Sequence, residues 1–175
     1  MSVYPIFSPP SPQAVMDTSF WSLCCHCGLE PYLWKVWARP IWVPTVVKNQ
    51  IFYHAGDYPD QQAFQQAEHE GLLAIRDPQI RITQFRSGER EVLSLAQEVS
   101  ATALIDDFSA HRYAGTILGL DTVGVLEFLV SLLEAEIITL AQAESAYHQL
   151  VQLRATNQGW LKWAYNQIKQ RGGNP

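Results

Sequence analysis

The stretch Ala101-Thr102-Ala103-Leu104-Ile105-Asp106, followed at once by Asp107, decides the fold of this 175-residue chain. A nearly continuous apolar run of this length is the pattern of a strand buried on both faces of a parallel sheet. Working outward from it, a helix is expected over residues 107–118, with Gly119 placed to stop it. A brief strand at 121–123, a helix to about Glu134 and further helices follow, in which Leu140, Ala143, Tyr147, Leu150 and Val151, then Trp160, Trp163, Ala164 and Ile168, keep helical spacing. On the other side, Ile80-Arg81-Ile82-Thr83 alternates like a strand, and Gly88 opens a helix over 89–99 packed through Val92, Leu93, Leu95 and Ala96. Residues 57–71 are polar and Gln-rich and read as a solvated helix with Asp60 as N-cap. Pro40-Ile41-Trp42-Val43 is a short strand, with Pro44 suited to the first turn of the next helix. Ala14-Val15-Met16 is the first strand, and the helix over 18–38 is broken near Gly28 and Pro31. Strands alternating with helices make this an α/β protein, a three-layer sandwich with a mainly parallel sheet of four or five strands and extra C-terminal helices.

Composition sets outer limits. Apolar residues make up 47% of the chain, enough for one full core, whereas charged residues are only 17% against roughly a quarter in typical domains. The net charge of −5 excludes a strongly basic, non-specific nucleic-acid coat and leaves room for a local patch or for metal ions. Three cysteines crowded at Cys24, Cys25 and Cys27 do not make a disulfide framework; they suit a reducing, cytoplasmic setting. The first residues lack the basic start and apolar run of a signal peptide, and the tract 123–133, interrupted by Glu127, is shorter than the ~20 residues a bilayer needs. No membrane partner is expected. Residues 1–13, with Pro5, Pro9, Pro10 and Pro12, read as an extended or disordered arm before a domain over 14–170 and a tail over 171–175.

Acidic residues recur where strands or loops meet helix starts. Asp17 ends the first strand in Asp17-Thr18-Ser19, Glu89 and Glu91 open the helix after Gly88, and Asp106 and Asp107 end the buried strand. In an open parallel sheet ligands gather beyond the carboxyl ends of the strands. Carboxylates gathered there repel one another unless a divalent cation neutralises them, and Mg²⁺ takes hard oxygen ligands while retaining waters and bridging to phosphate. Singly, Asp17 and Asp106 are also explained as helix caps, and Glu89 as a first-turn charge favoured by the helix dipole.

These residues resemble the PIN-like proteins of the DUF3368 type, a branch of the PIN-domain nuclease superfamily. The resemblance is carried by Met16-Asp17-Thr18-Ser19, the run from Leu23 to Leu29, Val43-Pro44 with Val47, Gly88-Glu89-Arg90-Glu91, and Leu104-Ile105-Asp106-Asp107 with Ala110 and Ala114. Leu118-Gly119-Leu120, Val123-Gly124 and a last helix around Leu153, Trp160 and Tyr165 complete it, so it covers residues 14–170. It implies a Rossmann-like PIN fold and an acidic pocket holding Mg²⁺ or Mn²⁺, in a ribonuclease similar to the toxins of toxin–antitoxin pairs. Asp17, Glu89, Asp106 and Asp107 are then the expected catalytic and metal-binding acids, with Glu91 a further metal ligand. Thr18, Ser19, His111 and Arg112 are expected to bind substrate. The implied partners are RNA, an antitoxin protein and a second copy of the chain.

Two positions depart from the family pattern. The family places a Glu on the helix after its Val-Pro pair, where this chain has Asn49-Gln50, and often an Arg where this chain has His111 beside Arg112. Amides lack the charge that draws Mg²⁺ in, so a catalytically reduced binding or scaffold protein is the alternative reading. Cys24-Cys25-His26-Cys27 lacks the spacing and second ligand pair of a zinc site, and Cys24 and Cys27 are expected to face inward. The six tryptophans are expected in the core or against packed helices.

Overall fold

The computed structural model describes residues 13–153 and 157–172. Five strands, β1 (Ala14–Met16), β2 (Ile41–Val43), β3 (Leu73–Ile75), β4 (Thr102–Leu104) and β5 (Thr122–Val123), form one sheet in the order β3-β2-β1-β4-β5, with every pair parallel. Among the described residues the helices are α1 (Thr18–His26), α2 (Glu30–Val36), α3 (Thr45–Ile51), α4 (Pro59–His69), α5 (Ser87–Val99), α6 (Phe108–Tyr113), α7 (Val125–Glu134), α8 (Leu140–Leu153) and α9 (Gln158–Gly172). All residues of β1 and β4 are buried, as central parallel strands with both faces covered must be.

The order of the strands positions everything that follows. The chain winds from β1 outward through β2 to β3, then crosses by α5 to β4 and outward again to β5, so the winding reverses between β1 and β4. Their register pairs Ala14 with Thr102, Val15 with Ala103 and Met16 with Leu104, which brings the residues just beyond Met16 and Leu104 to one crevice.

One expected strand is corrected. The third strand is Leu73–Ile75, paired in register with Ile41–Val43, and residues 80–83 are irregular. The alternation there follows no sheet: Ile80 is 79% exposed, the Ile82 amide donates to Ser94 Oγ at 3.0 Å, and Arg81 is tied to Glu91, so α5 rather than a strand edge holds the segment. The polar helix also differs in detail. Tyr58 is the N-cap of α4, and Asp60 lies in its first turn, where Oδ2 accepts from Ser22 Oγ at 2.8 Å. Nor is α4 solvated all round, since Gln61, Phe64 and Ala67 are buried. The helix expected over 107–118 is α6 followed by one π-helical turn at Ala114–Leu118, closed by Gly119 at φ +63°. Arg171 and Gly172 belong to α9 rather than to a tail, and the proline-rich arm lies outside the described residues save for Gln13.

The core runs through both helical layers. Trp21, Trp37 and Trp160 are buried, as are Cys24 and Cys27, and the cysteines are free thiols. Phe64 is fully buried, meeting Trp21 edge-on at 5.7 Å and Phe52 at 5.7 Å. Phe64→Ala is therefore expected to cost about 3–5 kcal/mol, through lost transfer energy and the cavity left behind. Urea unfolding monitored by tryptophan fluorescence checks this; a cost under about 1 kcal/mol contradicts the packing described.

Candidate active site

Asp17 and Asp106 are the two buried aspartates of the crevice. The Asp17 amide continues the β1–β4 ladder by donating to the Leu104 carbonyl at 3.0 Å, and its side chain caps α1, Oδ1 accepting from the Phe20 amide at 2.7 Å. Asp106 stands two residues beyond β4, where Oδ1 accepts from the Val125 amide at 3.0 Å in the first turn of α7. Its Oδ2 is buried and has no hydrogen-bond partner among the described residues. An unpartnered buried carboxylate oxygen is costly, which marks a place where a proton or a cation belongs.

The electrostatics agree. Burial pushes the Asp17 carboxyl up to about 8, against the Phe20 amide that favours its charged form, and the charges of Asp106, Glu89 and Asp107 raise it further. Burial likewise pushes Asp106 up to about 7; the Val125 amide and His111 pull it down, while Glu127 and Asp107 push it up. Glu89, half-buried in the first turn of α5, and Asp107, the exposed N-cap of α6 accepting from the Ala110 amide at 2.7 Å, complete the acidic ring.

The remaining expected residues divide. Thr18 is at the site, its hydroxyl donating to Gln50 Oε1 at 2.6 Å, and Ser19 is exposed beside it. Gln50 Nε2 donates to Ser87 Oγ at 3.2 Å, so this amide ties α1 and α3 to the start of α5. Gly88 makes room for it: a Cβ there would lie 2.8 Å from Gln50 Oε1. Glu91 points elsewhere. Both its oxygens lie 2.8 Å from Arg81 Nε, and Arg90 approaches to 3.2 Å, because two residues along a helix turn a side chain some 200° away from Glu89. His111 is also engaged, its Nε2 lying 3.0 Å from Glu127 Oε2 and 3.1 Å from Thr122 Oγ1, with its ring against Trp160. Arg112 is exposed on α6.

Sequence reasoning missed Glu127, which accepts from the Gly124 amide at 2.9 Å and so fixes the turn that presents the Val125 N–H to Asp106. The spacing Gly124-x-x-Glu127 at a helix start is the signal that carried this information. Trp160 was also missed as a neighbour of the site; a Cβ on Gly124 would lie 3.3 Å from its ring and 3.4 Å from Asp106 Oδ1.

Among the described residues no three His, Cys, Asp or Glu side chains are gathered closely enough to hold an ion between them alone. Mg²⁺ does not require that, since it is commonly held by one or two carboxylates together with waters and substrate phosphate. The unpartnered Asp106 Oδ2, with the Asp17 carboxyl beside it in a ring of like charge, fits such a cation.

An open parallel α/β sheet takes its ligands outside the carboxyl ends of its strands where the strand order reverses, and here two buried acids stand at that point. The chain belongs to the DUF3368 family, a PIN domain, whose profile matches residues 14–172. The family points to nuclease-type function, and PIN domains generally use divalent metal ions. No curated protein matches the chain. Among the described residues no helix is long and apolar enough to cross a membrane.

Two outcomes follow from this geometry. Because Asp17 and Asp106 are raised from 3.8 to about 8 and about 7, the folded protein binds more protons than the unfolded chain between those values. Stability is therefore full below about pH 4 as far as these groups are concerned, and is lost as pH rises through about 8. The metal-free melting temperature should fall by at least about 4 °C between pH 5.5 and 8.5, and Asp17→Asn should flatten the profile. A parent and variant with the same slope would contradict the burial assigned to Asp17.

The second concerns Gln50. Gln50→Glu adds charge to a ring already short of counter-ions and removes the donor to Ser87, so it should lower the metal-free melting temperature. A carboxylate near a bound cation gains about 1 kcal/mol at 4 Å in water and more where water is excluded, so Mg²⁺ should restore most of the loss. Melting curves of both proteins with and without Mg²⁺ decide it; identical behaviour of the two in both conditions shows that position 50 does not sense the pocket.

Proposed function

We propose that this PIN domain is a ribonuclease dependent on Mg²⁺ or Mn²⁺ that hydrolyses RNA phosphodiesters at the Asp17–Asp106 crevice. The observation that carries the reading is the pair of buried carboxylates at the switch point, one of whose oxygens has no partner among the described residues. Asp17 and Asp106 would hold the ion, with Glu89 and Asp107 adding negative charge that favours its entry. A bound divalent ion supplies polarisation of the phosphoryl oxygen and a water acidic enough to ionise near neutral pH. The chain's own part is to fix the acceptors: the Phe20 and Val125 amides each hold one carboxylate oxygen and leave the other to the site. The Thr18 hydroxyl is committed to Gln50, whereas Ser19, exposed at the first turn of α1, would meet a phosphate oxygen. Glu91 and His111 act through their pairs with Arg81 and Glu127 rather than on metal or substrate. A role as the toxin of a toxin–antitoxin pair, with an antitoxin protein as partner, is supported by the family resemblance, and the free thiols suit the cytoplasm.

One observation favours the alternative of a catalytically reduced binding protein. Asn49-Gln50 stand where the resemblance expects a Glu, and the Gln50 carbonyl is occupied by the Thr18 hydroxyl. RNA cleavage assays separate the two readings. Cleavage should require Mg²⁺ or Mn²⁺ and fall at least about a hundredfold in Asp17→Asn and in Asp106→Asn. Activity that persists in EDTA, or in both variants, contradicts the nuclease reading; no cleavage by the parent with either metal favours the binding protein.

A further inference from the structure

The charge of this chain is uneven along its length. Residues 1–139 carry sixteen acidic and eight basic side chains, whereas residues 140–172 carry one acidic and four basic. The basic segment holds α8 and α9, which run antiparallel: a Cβ on Gly172, at the end of α9, would lie 3.1 Å from Leu140, at the start of α8. Higher up the pair, Tyr147 Oη donates to the Leu161 carbonyl at 3.1 Å.

α9 carries two stripes. Trp160, Ala164 and Ile168, spaced four residues apart, are buried on the side where α9 packs on α7. Gln158, Leu161, Lys162 and Tyr165 form the other stripe, and with Tyr147 and Val151 of α8 they line a groove of about 650 Å³. The groove shares no residue with the carboxylate crevice, so its role is independent of the nuclease reading.

Its walls are apolar and aromatic, yet open to solvent. Val151 is 40% and Tyr165 46% exposed, and the Tyr147 and Tyr165 rings lie 6.0 Å apart. Because the Tyr147 hydroxyl is committed to Leu161, what that residue offers the groove is its ring. The charge at the edge is positive. Lys162 is exposed and, among the described residues, has no acidic group within 4.0 Å, while Glu144, the one acid of the pair of helices, is matched with Lys169 at 3.7 Å.

An apolar groove edged by such an ammonium favours an occupant that brings both apolar side chains and negative charge. Along α9 the groove runs from Gln158 to Tyr165, about 10 Å of helix axis, which matches anchors at i, i+4 and i+7 of a docked helix. Residues 1–13 carry no charged side chain and so do not answer Lys162. A two-fold pairing of this face with a second copy would set one basic pair of helices against another. We propose that the α8–α9 groove docks an acidic amphipathic helix of a partner protein, with apolar anchors on Tyr147, Val151 and Tyr165 and a carboxylate on Lys162.

The probe is a labelled helical peptide of about eighteen residues, with leucines at i, i+4 and i+7 and glutamates at the flanking positions. It is titrated with the full chain by fluorescence anisotropy, beside a twin that has lysines for glutamates. The glutamate peptide should bind, and the lysine twin at least about tenfold more weakly. Val151→Asp and Tyr165→Ala, at exposed positions outside the core, should each weaken the glutamate peptide about fivefold or more. Lys162→Glu should reverse the order of the two peptides, which no general loss of structure would do. A Kd for the glutamate peptide weaker than about 1 mM, equal affinity for the lysine twin, or parent-like binding by Lys162→Glu overturns the proposal. So does a peptide of residues 1–12 that displaces the glutamate peptide at equal concentration, or self-association of the chain that Val151→Asp abolishes, since each gives the groove another occupant. Cleavage of RNA, or its absence, alters none of these outcomes.

Discussion

Two aspartates with their charged groups taken out of water, one after each of two adjacent central strands, are the constraint around which this domain is arranged. The β1–β4 ladder extends one step past Met16, through the Asp17 amide and the Leu104 carbonyl, so the acids cannot separate without breaking the middle of the sheet. Burial raises both toward neutrality, and each is steadied by one backbone N–H from the start of a helix. A helix start offers such donors because its first amides have no partner within the helix. The helices that supply them, α1 and α7, are packed together through Phe20 and Phe128 at 6.0 Å, so the core and the crevice share their supports.

Around this pair the structure commits most neighbouring polar groups to one another. Gln50 bridges Thr18 and Ser87, and Gly88 leaves room for it, since a Cβ there would lie 2.8 Å from its Oε1 and push the amide aside. Glu127 holds the Gly124 turn and is itself held by His111, which in turn contacts Thr122. These bonds join five separate elements, α1, α3, α5, α6 and α7, to the ends of β1, β4 and β5. Among the described residues, what they leave uncommitted is small and specific: one oxygen of Asp106 and the Glu89 carboxylate.

The buried acids Asp17 and Asp106 occupy the crevice, whereas Arg81 and Arg90 are paired with Glu91 and Arg76 with Glu98 further along α5.

The sequence by itself determined what depends on neighbours within a turn or two of chain. The apolar run ending at Asp106 specified a central strand, Asp17 was legible as a helix cap and Gly119 as a stop, whereas α6 is capped by Asp107 and not by Asp106, the cap expected from the sequence. Alternating strands and helices then left a parallel α/β sheet as the natural class. The tertiary structure alone decided which strand edges pair and which charged groups meet. Residues 80–83 alternate as Leu73–Ile75 does not, yet only the latter found a partner, in Ile41–Val43, while Ser94 and Glu91 drew the former onto α5. Glu89 and Glu91 are alike in sequence, and the rotation of a helix gave one to the crevice and the other to Arg81. Gln50 met Thr18 and Ser87, 32 and 37 residues away, and His111 met Glu127, 16 residues on. Caps and periodicity are settled by hydrogen bonds and side-chain directions inside one element; the partner of a charge or an amide is settled by which elements the sheet order brings together.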